Sequence, residues 1–107
     1  MKEYRGVRTP KGCVVTVADG GGKKKLPIRH DVRRHSEEFE WGYAGSGPAQ
    51  LALALLCDVL GDAERAQETY QRFKFQVIAR LAGDEWTLAE DRVMEIVACL
   101  ELGYPVS

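Results

Sequence analysis

Residues Phe39–Leu56, FEWGYAGSGPAQLALALL, hold the reading from which the fold follows. Phe39, Trp41 and Tyr43 alternate with Glu40 and Gly42, a period of two that predicts a strand with three rings on one face. Gly45-Ser46-Gly47 breaks that strand. Pro48, favoured at the first helical position because its missing N–H costs nothing there, then opens a helix. Leu51, Leu55 and Leu56 form one apolar stripe, and Leu53 with Leu60 widens it, so burial over much of the circumference is expected. Gly61 ends the helix, and Asp62 caps the next one.

Upstream of this block the chain reads as β. Tyr4–Arg8 and Cys13–Ala18 flank Thr9-Pro10-Lys11-Gly12, in which Pro suits the second turn position and Gly the fourth. Asp19-Gly20-Gly21-Gly22 interrupts the second strand. Lys25–Arg29 is expected to return as a short third strand, at an edge because Pro27 cannot donate to a ladder. His30–Glu38 is polar and reads as a connecting loop.

Downstream everything reads as helix. Ala66, Tyr70, Phe73, Val77 and Leu81 give a helix over 63–81 one clean inward face, and Phe75 falls on the opposite side. There it either meets the sheet or is exposed. Gly83 stops this helix. Thr87 and Glu90 suit a capping box for a third helix, Leu88–Leu102, whose stripe is Val93, Ile96, Val97 and Leu100. Gly103 with Pro105 terminates it. The expectation is a single α+β domain over 1–107: an N-terminal antiparallel sheet of three to four strands (1–44 mainly β) packed against three C-terminal helices (48–102 mainly α).

A chain of 107 residues is one domain with a substantial core. The longest apolar run, Leu51–Cys57, falls far short of the roughly 18 to 20 residues of a membrane span. No apolar segment follows Lys2 as a secretory signal requires, and the expected location is cytoplasmic, away from membranes. Cys13, Cys57 and Cys99 are odd in number and far apart, matching neither a disulfide framework nor a zinc site, and read as buried reduced thiols. Charge is divided unevenly. Residues 1–36 hold ten Lys/Arg against three Asp/Glu, and the remainder five against thirteen. Such asymmetry points to a nucleic-acid or acidic partner, beside the plainer reading that the basic sheet and acidic helices face one another or are separately solvated.

Two places suggest chemistry. A strand, Gly45-x-Gly47 and a helix start resemble the local grammar of phosphate sites, where free N–H groups and the helix dipole favour an anion. Gly45, Ser46, Gly47, Ala49 and Gln50 are therefore the anion-binding candidates, beside the plainer reading of a structural turn. Gln50 stands where a dinucleotide fingerprint needs glycine or alanine, no strand follows the helix, and the Gly-Lys-Ser/Thr phosphate loop is absent. The second place is basic. Lys23-Lys24-Lys25 reads as a mobile loop behind three glycines, and Arg29, Arg33 and Arg34 continue it toward Trp41 and Tyr43. These eight residues are the candidate partner-binding surface. The rings either stack on single-stranded bases or belong to the core against the leucine-rich helix.

Catalytic readings have little to stand on. His30 and His35, with Asp31, Glu37 and Glu38, match no helical face, and they read as exposed loop histidines rather than metal ligands. Ser46 lies outside the spaced pattern of a nucleophile elbow. Cys57 and Cys99 lack electropositive neighbours in sequence. No catalytic residue, metal site or cofactor is assigned.

Tyr4-Arg5-Gly6, the block Phe39–Ala52 and the later Tyr70-x-x-Phe73 with Trp86 resemble a family of small uncharacterised domains found in bacterial, archaeal and phage genomes. The likeness covers almost the whole chain and brings no activity, cofactor or catalytic residue. Its phage members imply a mobile-element role, such as modulating a host or defence complex. The functional expectation is a non-enzymatic macromolecule-binding module whose partner is another protein. A nucleic-acid-binding domain on the same basic surface is the second reading, and a phosphate or nucleotide-binding protein at Gly45–Gln50 the third. No oligomeric state follows from the chain.

Overall fold

The computed structural model describes residues 1–104, and its first hairpin obeys the turn chemistry of the chain. β1 (Lys2–Thr9) and β2 (Gly12–Asp19) pair antiparallel with Tyr4 opposite Val17 and Gly6 opposite Val15. Thr9 Oγ1 accepts the Lys11 N–H across the bend at 3.2 Å. A two-residue turn at Gly20-Gly21 then returns the chain as β3 (Gly22–Lys25), antiparallel to β2. The third strand therefore holds the three lysines instead of spanning 25–29. Glycine at a hairpin turn lets pairing resume at once, so the glycine run joins two strands and Lys23–Lys25 is not a loop. The Leu26 N–H still donates to the Val15 carbonyl at 2.9 Å, and the chain leaves the sheet at Pro27.

The fourth strand is β4 (Glu85–Ala89), and Phe39–Tyr43 is not a strand. β4 runs antiparallel to β1 with Trp86 opposite Gly6, giving the order β3-β2-β1-β4. Thr87 thus sits in a ladder, where a β-branched residue packs well, and does not cap a helix. Gly6 is required beneath Trp86, because a Cβ there would fall inside the indole. Trp86 meets Trp41 edge-on, with ring centroids 5.6 Å apart and planes at 90°. Its indole N–H is buried with no hydrogen-bond partner among the described residues. Such an orphan costs about 1–3 kcal/mol, which burial of so large a ring offsets.

Phe39 and Trp41 enter the core as their alternation implies, but Tyr43 is exposed. Gly42 causes the difference, since its φ of +88° lies in the left-handed region and ends the alternation. No ladder holds this segment. The Gly42 N–H donates to the Ile78 carbonyl at 3.1 Å, and the Trp41 indole N–H to the Gly83 carbonyl at 3.0 Å.

α1 (Ser46–Leu60) is buried without interruption from Gly47 to Cys57, as its apolar circumference predicts. It begins two residues before Pro48, with Gly45 as N-cap. Proline still falls in the first turn, whose N–H groups have no helical partner. Gly61 closes α1 by donating to the Cys57 carbonyl, and the Asp62 carboxylate accepts the Arg65 N–H at 3.1 Å. α2 (Ala63–Gln76) buries Ala66, Tyr70 and Phe73, with Val77 just beyond its end. It stops short of Leu81, tightening into a 3₁₀ turn at Ile78–Arg80, and Phe75 is exposed. α3 (Glu90–Glu101) follows β4 directly without a side-chain cap and buries Val93, Ile96, Val97 and Leu100. Pro105, expected to help end it, lies outside the described residues.

The helices cover one face of the sheet. Tyr4, Val15, Val17 and Trp86 point into the core, and the Tyr4 hydroxyl donates to Asp58 of α1 at 2.6 Å. That carboxylate and the surrounding burial push the Tyr4 phenol far above its ordinary pKa; burial is the larger cause. At the far side Arg65 of α2 grips Glu101 of α3 through two bonds of 2.6 and 2.7 Å. Among the described residues no helix is long and apolar enough to cross a membrane.

Candidate functional site

Folding neutralises much of the positive charge in the first third of the chain. Lys2 pairs with Asp58 at 3.3 Å, Arg5 with Glu85 at 2.7 Å, and Arg8 with Glu40 at 2.8 Å and Asp84 at 3.3 Å. Arg29 pairs with Asp31 at 3.0 Å, and Arg34 with Glu37. Among the described residues, Lys23, Lys24 and Lys25, together with Lys11 and Arg33, have no carboxylate within ion-pair distance. Apart from Lys11 and Arg33, the cations left unpaired among the described residues of this region thus gather on one strand.

That strand is the edge of the sheet, and all four of its residues are exposed. Lys24 stands opposite Val17, whose side chain is in the core, so Lys24 shares the inner face of the sheet. Lys23 and Lys25 take the outer face. Two clefts adjoin the strand. One of about 460 Å³ is lined by Lys2, Val17, Asp19, Gly22, Lys23 and Lys24. The other, about 220 Å³, opens where β3 stops short of the start of β2, between Cys13–Val15, Lys25, Leu26, Ile28, Glu37, Glu38 and Phe39.

The remaining partner-binding candidates disperse. Trp41 is 1% exposed beneath the Arg8 guanidinium, 4.7 Å from its ring centroid, and offers no contact surface. Tyr43 is half exposed, but it lies over Gly45 at the start of α1. Arg29, Arg33 and Arg34 are on the connection after β3, two of them already paired.

At the helix entrance the glycines admit close neighbours. A Cβ on Gly45 would lie 2.5 Å from the Tyr43 ring, and one on Gly47 2.7 Å from the Glu40 Cβ. The Ala49 N–H is taken by the Gly45 carbonyl at 3.0 Å, and Ser46 is exposed. Gln50 is fully buried and wholly occupied. Its oxygen accepts the N–H groups of His35 and Ser36 at 2.7 and 3.2 Å, and its amide donates to the carbonyls of Ile28 and Arg33 at 2.7 and 3.0 Å. One side chain therefore binds the connection to α1. From sequence alone Gln50 is an anion-binding candidate beside the reading of a structural turn, and this structural role goes unforeseen. The missed signal was a polar residue in a helix buried all round, which must find partners inside the protein. Arg8, joining β1 to Trp41 and Gly83, carried no such signal.

The histidines are half-buried and engaged, not exposed. His30 Nε2 lies 2.7 Å from the Ser36 carbonyl, and His35 Nε2 lies 2.7 Å from the Tyr70 hydroxyl. Burial, with Arg33 and Lys74 nearby, holds the His35 imidazole below its ordinary pKa. Among the described residues no three His, Cys, Asp or Glu side chains converge as metal ligands. Of the cysteines only Cys57 is buried, Cys13 being half-buried and Cys99 exposed. Burial first, and the Glu40 carboxylate next, push the Cys13 thiol up to about 11, away from the thiolate a nucleophile needs.

No curated protein and no solved structure matches the chain. A family model does, over residues 4–99, a span that takes in nearly all of the sheet, α1, α2 and most of α3. The chain accordingly belongs to the group described as Family of unknown function (DUF6166).

Proposed function

We propose that the protein is a non-enzymatic binding module that takes an acidic surface of another protein on its β3 edge. The observation that supports this reading is the set of three consecutive exposed lysines without ion pairs among the described residues, in a region whose arginines are mostly paired. Unpaired surface charge on a rigid strand steers encounter with an opposite field at no cost in broken internal bonds. In the mobile-element setting that the family resemblance implies, the partner is a component of a host or defence complex. Single-stranded nucleic acid suits this surface less well, because Trp41 is interior and supplies no stacking platform.

The test compares wild-type protein with a Lys23→Glu/Lys24→Glu/Lys25→Glu variant on immobilised poly-glutamate and on immobilised oligo-dT over a salt series. Retention on poly-glutamate that the variant loses supports the reading. Retention on oligo-dT alone, with a steep salt slope, transfers the surface to nucleic acid. Equal behaviour of the two proteins removes the surface altogether.

A further inference from the structure

The hydrogen-bond register of β3 says more about the partner than its charge does. We infer, building on the binding-module reading above, that the partner is an extended acidic segment that joins the sheet as a fifth strand beside β3.

In antiparallel pairing, alternate residues turn their N–H and C=O toward the neighbouring strand. The Leu26 N–H bonds to the Val15 carbonyl, so Leu26, Lys24 and Gly22 face β2. Lys23 and Lys25 therefore turn both backbone groups outward, where no hydrogen bond is made to them among the described residues. These are the groups that an added strand pairs with.

Their side chains select its chemistry. A strand laid along this edge has its residues alternating between the two faces, within reach of Lys23 and Lys25 on one and Lys24 on the other. Acidic side chains satisfy both faces. The larger cleft, where Lys23 and Lys24, unpaired among the described residues, outweigh Asp19 in the lining, accepts one inward acidic side chain. Past Lys25 the requirement changes. The smaller cleft is lined by Val15, Leu26, Ile28 and Phe39 together with Lys25, Glu37 and Glu38. With two carboxylates against one ammonium there, an apolar residue fits better than an acidic one. The recognised segment is thus an acidic run of about four residues flanked on one side by an apolar residue.

Position 25 separates strand addition from simple charge attraction. Proline there removes an outward N–H without touching the β2 ladder, and edge strands tolerate it. Lys25→Ala and Lys25→Pro lose the same charge and differ in the backbone donor and in the ring's constraint on φ, which an extended edge strand accommodates. The probe is a fluorescein-labelled peptide with one valine followed by an unbroken run of about four glutamates, which places acidic side chains on both faces of an added strand, and binding is read by anisotropy. Strand addition predicts that Lys25→Pro binds about tenfold more weakly than Lys25→Ala, the scale of one lost hydrogen bond. It also predicts slowed amide exchange at Lys23 and Lys25 in the complex. Equal affinity of the two variants overturns strand addition and leaves the binding-module reading standing. Failure of wild type to bind, or unchanged binding by the triple glutamate variant, overturns both. Self-association that the peptide does not displace assigns the edge to a second copy and overturns the inference. Displacement of the peptide by oligo-dT, with no amide protection, assigns the edge to nucleic acid. Should Lys25→Pro not fold, a probe N-methylated at alternate amides asks the same question of unaltered protein: undiminished binding rejects the added strand.

Discussion

Along its β4 edge the sheet is built into the rest of the molecule, whereas along β3 it meets solvent. At the β4 end Arg8 bonds to Glu40, to the Trp41 carbonyl and to Gly83, and Trp86 lies across Gly6 against Trp41. Three segments distant in sequence are thereby closed over one strand end. At the other end, four exposed residues carry three lysines unpaired among the described residues and two outward-facing backbone units. Lysines keep an open edge from joining other chains indiscriminately, and the same charge admits an acidic strand. The contrast shows where stability and recognition reside in a domain this small: substitutions at the β4 end should change folding, and those at β3 should change binding.

The most severe way to break the closed end is Trp41→Ala. It removes the ring between Arg8 and Trp86 and should cost about 4 kcal/mol in urea denaturation. A loss below about 1 kcal/mol would mean the tryptophan pair does not organise this end. Gln50→Leu, in α1 where it holds the connection from β3, keeps the volume but orphans two N–H and two C=O groups. A loss of about 3 kcal/mol is expected, with the circular dichroism of α1 retained below the transition. Gly6→Ala forces a methyl against the Trp86 indole and should cost about 2 kcal/mol; Trp86→Phe in the same chain should recover part of it.

A smaller effect follows from His35. Its folded-state pKa is depressed, so the unfolded chain takes up this proton first. The contribution is complete above pH 6.5 and declines as the pH falls below that value. Stability should drop between pH 7 and 5, and His35→Gln should flatten that slope; a slope left unchanged assigns it elsewhere. Smallest of all is the effect on folding of replacing Lys23, Lys24 and Lys25 together by serine, expected within about 0.5 kcal/mol of wild type. A larger loss would mean that β3 stabilises the sheet through its side chains, and the contrast between the edges would blur.

Periodicity made the helices legible. Val93, Ile96, Val97 and Leu100 are buried as their spacing implies, and Asp62 caps α2 as its residue type implies. β4 was hidden because Thr87 and Glu90 also satisfy a helix-capping pattern, and only pairing with β1, some eighty residues away, decides between them. Phe39–Tyr43 misled because alternation reports side-chain direction, which Phe39 and Trp41 obey, but it cannot report whether a partner strand is present. Charge was the least legible property. The carboxylates that neutralise Lys2, Arg5 and Arg8 come mainly from Asp58, Asp84 and Glu85, and no local pattern announces such distant pairs. Lys23–Lys25 could be seen as basic, but neither its strand geometry nor its isolation from acids could.

The Gln50 carboxamide acts as a ruler on the chain between β3 and α1. Its four contacts fall at Ile28, Arg33, His35 and Ser36, so the number of residues between those points is measured by one side chain. Asparagine is too short to span them, and glutamate has no N–H to give. Insertions or deletions between 28 and 36 should therefore be excluded from sequences that keep glutamine here, although surface connections of this length ordinarily vary freely.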